Sequence, residues 1–197
     1  MLSEFAETGA PIVVWGAAPE DANYCVVGSD NYLGGQLAGR YLVEQGRRHF
    51  LFVGDPSFRE IGMRRDGLQN AADESGFEIV VDDIELHSFS YESAFNAANR
   101  YLDVIETLPD AVFAFNDSTA MAFIAAFRDG GIDVPHDVSV VGYNDIPSAA
   151  YFCPPVTTIR QDIHQAGRVL VAKLMRKLDG EKPASVLIKT NLIVRGT

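Results

Sequence analysis

The chain has 197 residues, 47% of them hydrophobic, with two cysteines and a formal net charge of -11. That apolar fraction supports one sizeable core or two smaller ones and excludes a disordered or fibrous chain. The acidic balance opposes direct contact with a polyanion, which needs clustered Lys and Arg. No apolar run approaches the roughly 20 residues of a membrane-spanning helix, and residues 1–11 lack the basic start and apolar middle of a secretion signal. A cytoplasmic protein without a membrane partner is expected.

In chain order, residues 11–15 and 24–28 read as strands, and 34–45 as a helix closed by Gly46. Arg47, Arg48 and His49 then complement the negative end of that helix. Residues 50–54 form a strand, 64–75 a helix and 77–81 a strand, with 84–87 as a further strand candidate. The spacing predicts a helix over 93–107, a strand over 111–115, and a helix over 118–129 closed by Gly130 and Gly131. A β-branched strand at 138–141 stops at Gly142, a long helix occupies 163–178, and 185–194 is an extended tail. Near-regular alternation of strand and helix points to α/β architecture with doubly wound parallel sheets. Cys25 and Cys153 are far apart without a C-x-x-C spacing, so two ordinary buried thiols are expected, with neither zinc nor disulfide.

Two strands end in the same dipeptide, Asn116-Asp117 and Asn144-Asp145. In an open α/β sheet, ligands sit beyond the carboxyl ends of the strands, which makes both asparagines site candidates. Structural alternatives exist for each. Asp117 or Ser118 caps the helix that follows, which leaves Asn116 unexplained, and Asn144-Asp145 makes a turn before Pro147. An Asn offers a donor and an acceptor without net charge, which suits a neutral, hydroxyl-rich ligand.

Catalysis receives little support. The chain has no G-x-S-x-G elbow, Walker loop or H-E-x-x-H, and His49, His87, His136 and His164 are scattered. The GGQLAG run at 34–39 lacks the dinucleotide glycine pattern and reads as a helix start. No catalytic residue, metal or cofactor is therefore expected.

The segments SDNYLGGQLAGRYLVEQGRRHFLFVGD, RRDGL, AVFAFNDSTAMAFIAAFRDGGIDVPHDVSVVGYNDIPSAAYFCPPVTTIRQD and LIVR follow one another in order. Together they resemble the effector-binding core of LacI/GalR transcriptional regulators over nearly the whole chain. The resemblance implies a type I periplasmic-binding-protein-like fold of two interleaved lobes, with a small effector, a neutral sugar, held in the cleft between them. It places residues 1–49 and 162–188 in the N-terminal lobe and 50–161 and 189–197 in the C-terminal lobe, with crossings near His49, 157–161 and 189–192. Family members begin with a helix-turn-helix domain, a hinge helix and two further strand-helix units before a segment like PIVVWG. The resemblance thus implies an N-terminally truncated chain with an incomplete first lobe whose exposed edge needs cover, and operator DNA as a partner only through the missing domain. It also implies a homodimer, with the apolar surface of helix 118–128 and the loop 149–155 as contact regions.

The same resemblance carries over site positions. Arg64 occupies the arginine of an R-x-x-G motif ahead of Gly67, and its planar fork suits hydroxyls or a carboxylate; its alternative is a surface helix charge, and Arg65 faces solvent. Phe89 occupies an aromatic position that can stack on a sugar, or is a core ring. Asn116 and Gln161, the latter in TTI-x-Q, match polar binding residues. Asp30 in SDN matches an acidic residue of the first lobe, or caps a helix. Asn144 stands where the family usually has an acid, and Trp15 and Phe58 are further lining candidates. The implied mechanism is a shift in lobe angle that respaces DNA-binding heads in the dimer. A free-standing sugar receptor of a transport system shares the fold and is the alternative.

Overall fold

A computed structural model describes residues 2–19 and 21–197. Met1 and Glu20, both within the first expected lobe, lie outside the described residues. The elements begin with α1 (Leu2–Glu7), β1 (Val13–Trp15), β2 (Cys25–Ser29), α2 (Asn31–Glu44), β3 (His49–Val53) and α3 (Arg59–Asp73). They continue with β4 (Val80–Ile84), α4 (Tyr91–Leu102), β5 (Ala111–Ala114), α5 (Asp117–Asp129), β6 (Ser139–Asn144) and α6 (Pro147–Tyr151). The last are β7 (Thr157–Arg160), α7 (Ile163–Leu178), β8 (Val186–Ile188) and β9 (Asn191–Ile193).

The chain divides into two units that interleave in sequence, Met1–Asp30 with Gln161–Thr190 and Asn31–Arg160 with Asn191–Thr197. The first crossing falls at Asp30–Asn31, not near His49, because α2 packs along α3 of the second unit. Glycines explain that packing. A Cβ on Gly35 would strike the carbonyl of Arg64, and one on Gly67 would strike the carbonyl of Tyr32. The GGQLAG run is thus a close helix approach that brings the start of α2 against α3.

In the second unit a six-stranded sheet has the order β4-β3-β5-β6-β7-β9, parallel except for antiparallel β7 and β9. Its central strands carry the apolar runs FLFV (50–53) and AVFA (111–114), buried as a parallel sheet covered on both faces requires, while His49 at the start of β3 is half-buried. Phe50, Phe52, Phe113, Phe123 and Phe127 are fully buried, and each contributes on the order of 2–3 kcal/mol by leaving water. Helix α5 is buried from Thr119 to Phe127, so the apolar surface expected to be free for a dimer contact is spent on this core.

Other details differ from the sequence expectation. Residues 77–87 hold one strand, β4, and Gly142 does not end β6, which runs on to Asn144. Gly142 is needed for space, since a Cβ there would collide with the Asp117 carboxylate. Arg65 is half-buried and its Nη2 donates to Asp83 at 2.9 Å, so it joins α3 to β4. Arg47 reaches away from its helix to Ser139 Oγ at 3.1 Å, whereas Arg48 donates to the Val43 carbonyl at 3.3 Å. Cys25 is buried, but Cys153 is exposed.

The first unit has a parallel sheet of order β1-β2-β8, with β1 at its edge. Its core is small, built on Val27, Ala166 and Ile188. Asp162 caps α7 by accepting from the Gln165 N–H at 2.7 Å. Among the described residues, no helix is long and apolar enough to cross a membrane.

Candidate functional site

Strand β3 pairs with β4 on one side and β5 on the other, so the chain reverses its winding there. Such a switch point opens a crevice at the carboxyl ends of the strands. The segments leaving β3, β4, β5 and β6 carry Phe58, Phe89, Asn116 and Asn144 in turn, and these define the candidate site of the second unit.

Arg64, in the second turn of α3, is 7% exposed. Its Nε donates to Asn31 Oδ1 at 2.9 Å and its Nη1 to the Phe115 carbonyl at 2.6 Å. The guanidinium carbon lies 3.6 Å from the Tyr143 ring centre, a cation–π contact. Burial pushes its pKa down while Tyr143, Glu60 and Asp117 push it up, and an arginine so held stays charged. Arg64 is therefore no surface helix charge. It is an oriented cation between the ends of β5 and β6, with Nη2 outside those two bonds.

Phe89 is 56% exposed, which rules out a core ring. It meets Phe58 and Phe115 edge-on, with ring centres 5.4 and 5.1 Å away. Asn116 is itself the cap of α5, its Oδ1 accepting from the Thr119 N–H at 2.7 Å. The cap expected of Asp117 or Ser118 thus falls one residue earlier, and the cap leaves the Asn116 amide nitrogen uninvolved. Asn144 is half-buried at the end of β6 with φ +107°.

Asp117, fully buried, accepts from Thr158 Oγ1 and from the Ile146 N–H, the latter at 2.8 Å. Burial pushes its pKa up to about 6, against those two bonds. Beside Phe58, the Asp55 carboxylate pairs with His87 Nδ1 at 2.8 Å, while His87 Nε2 lies 3.8 Å from Glu85. The bond to Asp55 raises the His87 pKa, and Asp55 is held below its ordinary value by bonds to Ser57 and His87. Asp55, Glu85 and His87 thus bring ligand-type atoms within 4.8 Å of one another.

In the first unit, Gln161 Oε1 accepts from Ser29 Oγ at 2.6 Å. The Asp30 N–H donates to the Ile188 carbonyl at 2.9 Å, so Asp30 and Gln161 are held beside the same strand end. Trp15, 41% exposed, ends β1 of this unit. Sequence reasoning missed Asn31, Tyr143 and the buried role of Asp117. The continuous run 139–143, buried on both faces, gives Tyr143 no periodic signal of its own, and Asn31 becomes visible only when α2 meets α3.

Residues 40–197 match the family model of the periplasmic binding protein-like domain. The HTH-type transcriptional repressor PurR of Serratia proteamaculans (strain 568) is 33% identical over 193 residues, 97% of this chain and 56% of that protein. The chain spans less than two thirds of the length of such curated relatives, which by name are transcriptional repressors, not enzymes. The complex of the transcriptional regulator CelR with cellobiose is 31% identical with a TM-score of 0.81, over 96% of this chain and 59% of that one. A LacI family transcriptional regulator from Enterococcus faecalis V583 with bound ribose is 26% identical with a TM-score of 0.85, over 98% and 70% of the two chains.

Proposed function

The chain belongs to the periplasmic binding protein-like domain family, and from that premise we propose that it is the effector-binding core of a LacI/GalR-type transcriptional regulator. The effector is a neutral sugar. One observation carries this reading: Arg64, Asn116 and Asn144 stand with the Phe58–Phe89–Phe115 rings at the carboxyl ends of one parallel sheet. Rings offer apolar faces to a pyranose or furanose, and amides pair with hydroxyls without demanding charge. The sugars named with CelR and with the Enterococcus regulator support this ligand class. The whole protein acts in the cytoplasm as a homodimer that reaches operator DNA through a segment outside these residues. Effector binding shifts it between two states of different DNA affinity.

Thermal unfolding with D-ribose, cellobiose and a panel of neutral sugars tests the reading. A ligand at about 100 times its Kd stabilises by about 2.7 kcal/mol, which for a domain of this size raises Tm by roughly 5–10 °C. No shift with any sugar overturns the ligand class, and turnover of a sugar overturns the regulator. A secretion signal encoded upstream of Met1 would favour the transport receptor instead.

A further inference from the structure

Asn144 and Asp145 are consecutive non-glycine residues with positive φ, +107° and +60°. Side chains rarely adopt such backbone, and it persists where surrounding contacts over-determine it. Here the contacts are specific. Asp145 Oδ1 accepts from Arg195 Nη2 and Oδ2 from Arg160 Nε, each at 2.5 Å, and the next N–H, that of Ile146, donates to buried Asp117. The Asp145 side chain is 9% exposed.

The partners of Asp145 have a particular place in the chain. Arg160 is the last residue before the chain leaves the second unit, and Asn191 is the residue by which it returns, four positions before Arg195. Strand register sets Asn144 opposite Arg160 and Arg160 opposite Asn191, a row across β6, β7 and β9. At the remaining crossing, Asn31 is the first residue of the unit, and its Oδ1 accepts from the Tyr143 hydroxyl at 3.3 Å. The tripeptide Tyr143-Asn144-Asp145 therefore has a polar contact with the second-unit side of every linking segment.

We infer that Asp145 is a positioning residue: it holds Asn144 in its left-handed conformation for the effector and, through Arg160 and Arg195, ties that conformation to the strands that leave and re-enter the unit. The inference rests on the effector reading of Asn144. Its consequence is that the backbone at Asn144 and the anchoring of β7 and β9 change together. Burial raises the Asp145 pKa, but the two arginines outweigh it and leave the carboxylate below its ordinary range, ionised at neutral pH.

Hydrogen–deuterium exchange of the full chain without ligand tests this. Asp145→Asn keeps the shape and the tolerance for positive φ but removes the charge. Exchange should rise at least about tenfold in segments covering 144–146, 157–160 and 191–195, with β4 and α4 unchanged. Combining Asp145→Asn with Arg195→Met should raise exchange by less than the sum of the two single effects, because the Asp145–Arg195 contact is common to both, while Asp145 also loses Arg160 and Arg195 also loses the Val156 carbonyl. Arg160→Gln, at a half-exposed arginine, should reproduce the pattern more weakly and serves if Asp145→Asn does not fold. A rise confined to 144–146, a uniform rise over the unit, or additive effects in the double variant overturns the inference. Calorimetry of D-ribose and cellobiose with the wild-type chain is read separately. An intact exchange pattern without sugar binding counts against the effector reading and not against the clamp.

Discussion

Replacing Asp117 by Asn offers a test of how the carboxyl end of β6 is held. The side chain is fully buried, with Thr158 Oγ1 on one oxygen and the Ile146 N–H on the other. Burial dominates those bonds and raises its pKa from 3.8 to about 6. The folded protein thus holds this proton more tightly than the unfolded chain does. The resulting stability is fully present below pH 3.8 and is lost as the pH rises through about 6. At about 1.36 kcal/mol per pH unit the whole span is worth on the order of 3 kcal/mol, of which about 2 kcal/mol falls between about pH 4.5 and 7.5. In Asp117→Asn the side chain cannot titrate, yet an amide turned with its oxygen toward Ile146 and its nitrogen toward Thr158 preserves both contacts. Urea unfolding followed by circular dichroism across that window should therefore show Asp117→Asn gaining about 2 kcal/mol on the wild type as the pH rises. Other titrating groups are common to both proteins and cancel. Parallel stability curves would refute the reasoning, because they would mean that Asp117 ionises in the fold as it does in the open chain.

Other variants separate structure from ligand contact. Gly67→Ala places a Cβ against the Tyr32 carbonyl; overpacking of about 1–3 kcal/mol should exceed the helix-propensity gain of up to about 1 kcal/mol, so urea unfolding should show net destabilisation. Asn116→Ala should lose about 1 kcal/mol with its cap, whereas Asn116→Asp keeps the cap; both should weaken sugar binding by calorimetry, since each removes the amide nitrogen. By NMR titration His87 should ionise above its ordinary 6.5 and fall toward it in Asp55→Asn. The contribution of His87 to stability should be present below 6.5 and lost as the pH rises through its raised value.

Fold class was legible because strand and helix alternate and the central strands are continuous apolar runs. Arg64, Phe89, Asn116 and Asn144 could be picked out as candidates from ordered motifs, and their role as effector contacts is the proposal made above. What escaped depends on distant partners. Nothing local distinguishes Asp117 as a buried bridge from Asp117 as a cap, since its partners lie 29 and 41 residues away. The first crossing was misplaced because GGQLAG reads as an ordinary helix start until α3 supplies the glycine it packs against. Helix α5 shows an apolar pattern in sequence, but small Ala122, Ala125 and Ala126 let the rest of its surface be buried too.

The most direct measurement is an amide chemical-shift map of the chain with the sugar that gives the largest thermal shift. The account predicts perturbations concentrated at Arg64, Phe89, Asn116 and Asn144, at the carboxyl ends of β3 to β6. Perturbations concentrated at the opposite end of the same sheet, around Arg48, Asp110 and Ser139, would contradict it.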